Sequence, residues 1–197
     1  MGFFERWTGW IKPAPVTAVD IVPDPTLVTK AQLEAIMPNA RGRVGVYLRP
    51  LNDAMREFGI TSKAALAAFL ANIAHESGEF KYVEELASGD LYEGNQKLGN
   101  TEPGDGRRFK GRGLIQVTGR YNYAQCGRDL GLDLVNDPEL LEQPVNACRS
   151  ACWFWFKHSL GELAERGQFK TVVRRINGGT NGLQERLMYW ERAKAVL

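Results

Sequence analysis

Ala74-His75-Glu76-Ser77-Gly78-Glu79-Phe80 closes an apolar run that begins at Leu66, and its reading decides the fold. At roughly 100° per residue, Leu66, Phe69, Leu70 and Ile73 fall on one stripe, with Glu76 on its shoulder and His75 turned away. Thr61 or Ser62 offers an N-cap, Gly59 closes the preceding segment, and Gly78 stands as a stop just past the glutamate. The spacing predicts a helix whose last turn holds Glu76 in partly apolar surroundings. Such burial, with no cation nearby, favours a protonated carboxyl.

Outward from this run the chain stays helical. Leu33, Ile36 and Met37 follow Thr29 at helical spacing, and Leu51 to Phe58 makes a second apolar stretch. Further helices are expected at 121–130, 138–142, 145–158, 160–166, 169–176 and 183–195. Residues 86–112 carry six glycines and Pro103 with little periodicity, which reads as a long, structured loop of the functional kind. Leu114 to Val117 could open a helix or form a strand. No sustained apolar–polar alternation occurs, so the fold class is mainly α.

At 197 residues the chain suits one well-buried domain. Hydrophobic residues make up 44% and charged residues 24%, and a net charge of +2 is not a nucleic-acid-binding balance. No apolar run approaches the roughly 20 residues of a membrane span. The N-terminus lacks a basic region followed by an apolar core and so does not read as a secretory signal. Cys126, Cys148 and Cys152 cannot all pair, and they read as buried thiols in a reducing compartment. The close ligand pairs of a zinc site are missing, and neither metal nor cofactor is expected. Residues 1–26 form an aromatic, proline-punctuated segment, read as a semi-rigid linker whose aromatic head packs on the main domain; residues 27–197 form the catalytic domain.

Glu76 is followed within nine positions by Glu84 and Glu85. Two carboxylates held a fixed distance apart are the minimum equipment for cleaving a glycosidic bond. Three further segments point the same way: Gly111-Arg112-Gly113-Leu114-Ile115-Gln116-Val117-Thr118-Gly119-Arg120-Tyr121-Asn122-Tyr123, Ala151-Cys152-Trp153-Phe154-Trp155, and Ile176-Asn177-Gly178-Gly179. With His75-Glu76, and in this order, they resemble the family 19 glycoside hydrolases over roughly residues 30–195. That resemblance implies a lysozyme-like helical fold with a cleft between a larger helical lobe and a smaller one. The loop from Glu85 to Gly106 looks like the phage and prophage endolysins of the family rather than its plant chitinases.

By resemblance, Glu76 matches the family's general acid and Glu85 its base, although Glu84 and Asp90 remain open from spacing alone. Thr118 matches the hydroxyl that holds the attacking water, donating to the base while accepting from the water. Gln116, Tyr121, Asn122 and Asn177 match sugar-contacting positions, and Arg186 matches an arginine whose charge would keep the base ionised. Plain roles compete with each: capping or loop duty for Gln116 and Thr118, a helix terminus for Asn177, a surface ion pair for Arg186. Trp153, Phe154 and Trp155 read as core, and His75 as a supporting residue.

Two residues depart from the family pattern. Glu79 stands where many members have a second glycine, and Asn95 where related lysins often carry arginine, changes expected to act on substrate subsites. The implied activity is inverting hydrolysis of the β-1,4 bonds of peptidoglycan by a monomer. The implied setting is an endolysin held in a bacterial host's cytoplasm until a separate, holin-type protein opens the membrane. A chitinase, a catalytically silent sugar-binding protein and a one-carboxylate transglycosylase are the rival readings.

Overall fold

The computed structural model describes residues 26–197. The aromatic head and the prolines before them lie outside the described residues.

Nine α-helices order the described residues: α1 Lys30–Ile36, α2 Arg43–Glu57, α3 Lys63–Glu76, α4 Asp105–Arg108, α5 Arg120–Leu130, α6 Pro144–Lys157, α7 Leu160–Glu165, α8 Phe169–Asn177 and α9 Leu183–Val196. Short 3-10 turns occupy Asp90–Tyr92, Gln96–Leu98 and Pro138–Glu142. No helix among the described residues is long and apolar enough to cross a membrane. The mainly helical class expected from the sequence is the class observed.

The helix α3 is the axis of the core. Ser62 caps it, its hydroxyl accepting from Ala65 N–H at 3.2 Å. Every residue from Ala65 to Ala74 is buried, so the helix presents no single stripe. The reason lies in Ala65, Ala67, Ala68, Ala71 and Ala74, whose small side chains let α1, α7, α8 and α9 close over the faces left by Leu66, Phe69, Leu70 and Ile73. Phe69 meets Trp155 of α6 edge-on at 5.3 Å. Cys126, Cys148 and Cys152 are free and buried in this core, and burial pushes the Cys126 thiol up to about 12.

Three sequence expectations are corrected. The second helix starts at Arg43 rather than Leu51 and runs through Pro50, a residue that normally ends a helix because it lacks an N–H and crowds the preceding turn. The 86–112 loop is not without regular structure, since it holds two 3-10 turns and α4. Leu114 to Val117 is neither strand nor helix but a turn, closed by reciprocal Arg112–Val117 backbone bonds of 3.1 and 2.8 Å.

Glu79 is the fourth correction. It is buried at 3% exposure and touches no open surface. Its carboxylate accepts from Asn39 N–H at 2.5 Å, Asn39 Nδ2 at 3.0 Å and Tyr189 O–H at 2.8 Å, while its carbonyl accepts from Arg43 Nε at 3.2 Å. It thus ties the α1–α2 corner to α9. Its φ of +58° explains the glycine usual at this position, because an L-residue there costs about 1–2 kcal/mol. Glu79→Ala keeps the strain and loses the bonds, for an expected loss of roughly 2–3 kcal/mol. Glu79→Gly relieves the strain and should recover about 1 kcal/mol of that in urea unfolding; equal losses would show that the backbone is not strained.

Candidate active site

The acid side of the site is built on the last turn of α3. Glu76 ends the helix, and Arg186 of α9 reaches across to donate from Nη2 to its Oε1 and, at 2.7 Å, from Nη1 to Asn72 Oδ1. Asn72 is fixed in turn by its bond to Ala68 O, 2.8 Å. The other Glu76 oxygen, Oε2, has no hydrogen-bond partner among the described residues. The expectation of a carboxyl remote from cations is therefore overturned, as is the one that paired Arg186 with the base. His75 reaches α9 as well rather than turning away, and its Nδ1 lies 2.5 Å from Glu185 Oε2. Gly182 abuts the His75 ring so closely that a Cβ there would overlap it.

Past Glu76 the chain folds back instead of extending. Gly78, Glu79 and Phe80 all take left-handed φ, and Tyr82 N–H returns to Ser77 O at 2.8 Å. Glu85 then lies only three positions beyond Tyr82, about 10 Å of chain.

Glu85 lies in a miniature antiparallel ladder. Isolated bridges join Glu84 to Arg112 and Arg112 to Val117, and Gly113 N–H donates to Val83 O at 2.8 Å. Neighbouring side chains on such extended backbone point to opposite faces, and the two glutamates meet different partners. Glu84 pairs with Lys110 Nζ at 2.9 Å and Arg112 at 3.7 Å. The Glu85 carboxylate receives only neutral donors, Tyr92 O–H at 2.9 Å on Oε1 and Gly111 N–H at 3.0 Å on Oε2, while Lys110 Nζ donates to its backbone carbonyl at 3.2 Å. Asp90 is exposed and turned to Arg107 and Ser88. Burial first, then the bond to Glu85, pushes the Tyr92 phenol up.

Gln116 and Thr118 join the base through the same ladder. A Cβ on Gly111 would lie 2.7 Å from Gln116 Oε1 and 3.2 Å from Glu85 Oε2, so both polar groups crowd one glycine. Thr118 Oγ1 donates to Gln116 O at 3.0 Å. In this arrangement its single proton is directed to that carbonyl, and two lone pairs stay available. Asn122 donates to Thr118 O at 2.8 Å, and Tyr121 stands exposed at the head of α5. Asn177 spends both amide atoms within its own turn, on Asn181 O and Gly179 N–H, each at 2.8 Å. That turn reaches the acid side through Gly182. Asn95 caps the Gln96–Leu98 turn.

Tyr92, Asn72, Gly111 and Lys110 are site residues the sequence reading passed over. Tyr92 carried one signal, its place in Tyr92-Glu93-Gly94 inside a long loop. That loop is pinned by Glu93, which accepts from Gly104 and Gly106 N–H at 2.7 and 2.8 Å, and by Arg120 on Asp105 at 2.8 and 2.5 Å.

The family model described as chitinase class I, glycosyl hydrolase family 19, matches residues 57–163 of this chain. A Haemophilus influenzae protein named as a glycosyl hydrolase family 19 domain-containing protein is 31% identical over 192 residues, covering 81% of this chain and 92% of that one. An Arabidopsis thaliana endochitinase is 41% identical over 122 residues, 61% of this chain and 42% of the plant protein. The chain thus spans about two fifths of the length of that curated relative. The crystal structure of chitinase C from Streptomyces griseus HUT6037 superimposes with a TM-score of 0.71 at 26% identity, over 88% of this chain and 77% of that one. This chain belongs to glycoside hydrolase family 19, and its fold is lysozyme-like.

The Arg120 bond holds the Asp105 carboxyl below the usual carboxylate range. A depressed folded value gives stability that is present above the unfolded value, near pH 4, and lost as pH falls through the folded one. Asp105→Asn should therefore flatten the acid limb of stability against pH, read by urea unfolding between about pH 6 and pH 2. An unchanged slope would show that this pair does not anchor the loop.

Proposed function

We propose that this protein hydrolyses the β-1,4 glycosidic bonds of peptidoglycan with inversion, Glu76 acting as general acid and Glu85 as general base. The observation that carries the reading is the contrast between the two carboxylates' partners. Glu76 gives Oε1 to Arg186 and keeps Oε2 open to hold and deliver a proton. Glu85 offers about four lone-pair positions, two of them taken by neutral donors, which leaves room for a water. Glu84, occupied by Lys110 and Arg112, is the poorer base.

The water's two protons then have two acceptors, Glu85 and the Thr118 hydroxyl. One of its two oxygen lone pairs is then free to face the anomeric carbon. As Glu76 protonates the leaving oxygen, the C–O bond breaks and the water attacks from the opposite face, passing its proton to Glu85. Gln116 in the closed turn, Tyr121 and Asn122 at the start of α5 and Asn177 at the end of α8 would meet sugar hydroxyls and acetamido groups.

The resemblance of the Glu85–Gly106 loop to phage lysins favours peptidoglycan, and with it an endolysin that waits in the host cytoplasm for a holin-type protein. A second reading, chitin, is favoured by the chitinases among its relatives. Both polymers present a β-1,4-linked amino sugar at the cleaved bond.

Product analysis on purified sacculi beside a soluble chitin oligomer separates them, with NMR of the first-formed anomer reporting inversion. Glu76→Gln and Glu85→Gln should each lower turnover at least a hundredfold. Glu76→Gln keeps an acceptor for Arg186 but loses its charge, so it should cost about 1–2 kcal/mol of stability, more than Glu85→Gln. Full activity in either variant would defeat the mechanism, and clearing of chitin without sacculi would move the substrate to the second reading.

A further inference from the structure

A second concavity, about 480 Å³ in volume, opens between the end of α2, the second half of α5 and the end of α6. Its walls are aromatic. Phe58 and Phe156 meet edge-on at 6.2 Å, and the Trp153 ring carries the Lys157 ammonium 4.5 Å from its centroid. Asp129 is turned to Trp153 Nε1 at 2.8 Å. Arg128 and Lys157 complete the lining, and neither has a carboxylate within 4 Å among the described residues. Burial holds the Lys157 ammonium below the usual lysine range, the direction expected of a cation short of compensating charge. The groove thus sets two cations without a carboxylate in ion-pair range beside apolar rings, Lys157 resting on Trp153, with the Asp129 carboxylate bonded to the indole.

Its position ties it to the site. Tyr121, Gln125 and Arg128 are spaced to share one face of α5, and the rise along them is about 10 Å. One end of this track lies beside Thr118 and Asn122, the other in the groove. Phe58 precedes the start of α3 while Glu76 ends it, so the groove lies roughly 20 Å from the acid along the helix axis. A polymer threading past Tyr121 would reach it two or more sugars beyond the cleaved bond.

We propose that this groove is an accessory binding site for a peptide-substituted amino sugar of the polymer being cleaved, whose free carboxylate is carried on the appended peptide. The inference rests on the peptidoglycan reading above. The apolar face of a pyranose packs on Phe58 and Phe156, the carboxylate meets Lys157 and Arg128, and the Gln125 amide is placed for an acetamido group, while Trp153, buried at 4% exposure, forms the floor and reports on Lys157 above it. A neutral chitin strand offers the first contact and lacks the second. The groove would therefore distinguish the two polymers although the cleaved bond does not.

The test is made on the full chain. The Trp153 indole N–H resonance should move on titration with muramyl dipeptide and much less with N,N′-diacetylchitobiose. Arg128→Ala with Lys157→Ala should weaken the dipeptide at least fivefold and raise KM for sacculi at least threefold, with kcat and the hydrolysis of short chitin oligomers unchanged. The melt should hold, because neither cation is in an ion pair. Equal responses to both ligands, or a double variant that binds the dipeptide like the wild type, would overturn the groove. Trp153 is also followed in Glu76→Gln protein, where binding needs no turnover. Failure of the wild type to cut sacculi would defeat the peptidoglycan reading separately.

Discussion

Arg186 is a guanidinium at 1% exposure, and such a group cannot be taken from water without fixed partners. Asn72 and Glu76 supply them, and both lie on α3, one helical turn apart. The same seam carries His75 to Glu185 and Glu79 to Tyr189. Positions 72, 75, 76 and 79 follow the spacing of one helix face and its extension, so a polar strip runs down the contact between α3 and α9. Buried ion pairs of this kind add little net stability, since desolvation offsets their attraction. What the strip provides is register. Slipping α9 by one residue would leave a buried cation unpaired, so Glu76 is held at one place and one angle.

The base is held by different means. No helix carries Glu85; a few backbone bonds among residues 83–85, 111–113 and 117 do. Extended backbone sends Glu84 and Glu85 to opposite sides, and the two adjacent carboxylates thereby enter unlike environments, one with two cations and one with neutral donors. The difference between a structural acid and a candidate base is one step of the chain. It depends on the ladder register and hence on Arg112, itself buried and bonded to Glu142 at 2.8 Å and Arg108 O at 2.8 Å.

The helices were legible because their signals are local: apolar spacing, caps, and glycines such as Gly59, Gly78 and Gly131 at the stops. The first half of α2, ahead of Pro50, left no such signal, and the local preference of that proline is overridden by the packing of α2 on α6. Glu79 was visible as a departure from a family pattern, but its meaning required φ and three partners far along the chain. The pairing of Glu76 with Arg186 spans 110 residues and leaves no trace in spacing. Tyr92 is only seven residues from Glu85, yet no periodicity links them because the loop between folds back through Gly89.

Gln116 shows how the two modes of support meet. Its φ of +59° is a left-handed conformation that a non-glycine residue holds only when its surroundings over-determine it. The surroundings here are the paired Arg112–Val117 bonds on either side and the bond from Gly113 to Val83. With the turn so closed, Gln116 Oε1 and Glu85 Oε2 both sit over Gly111, where any side chain would force them apart. The glycine is therefore required by what stands above it rather than by its own torsion angles. Strain at residue 116, an absent side chain at 111 and the bond from Thr118 Oγ1 to Gln116 O are three consequences of one closed turn, and the same turn holds Glu85 Oε2 against Gly111 N–H.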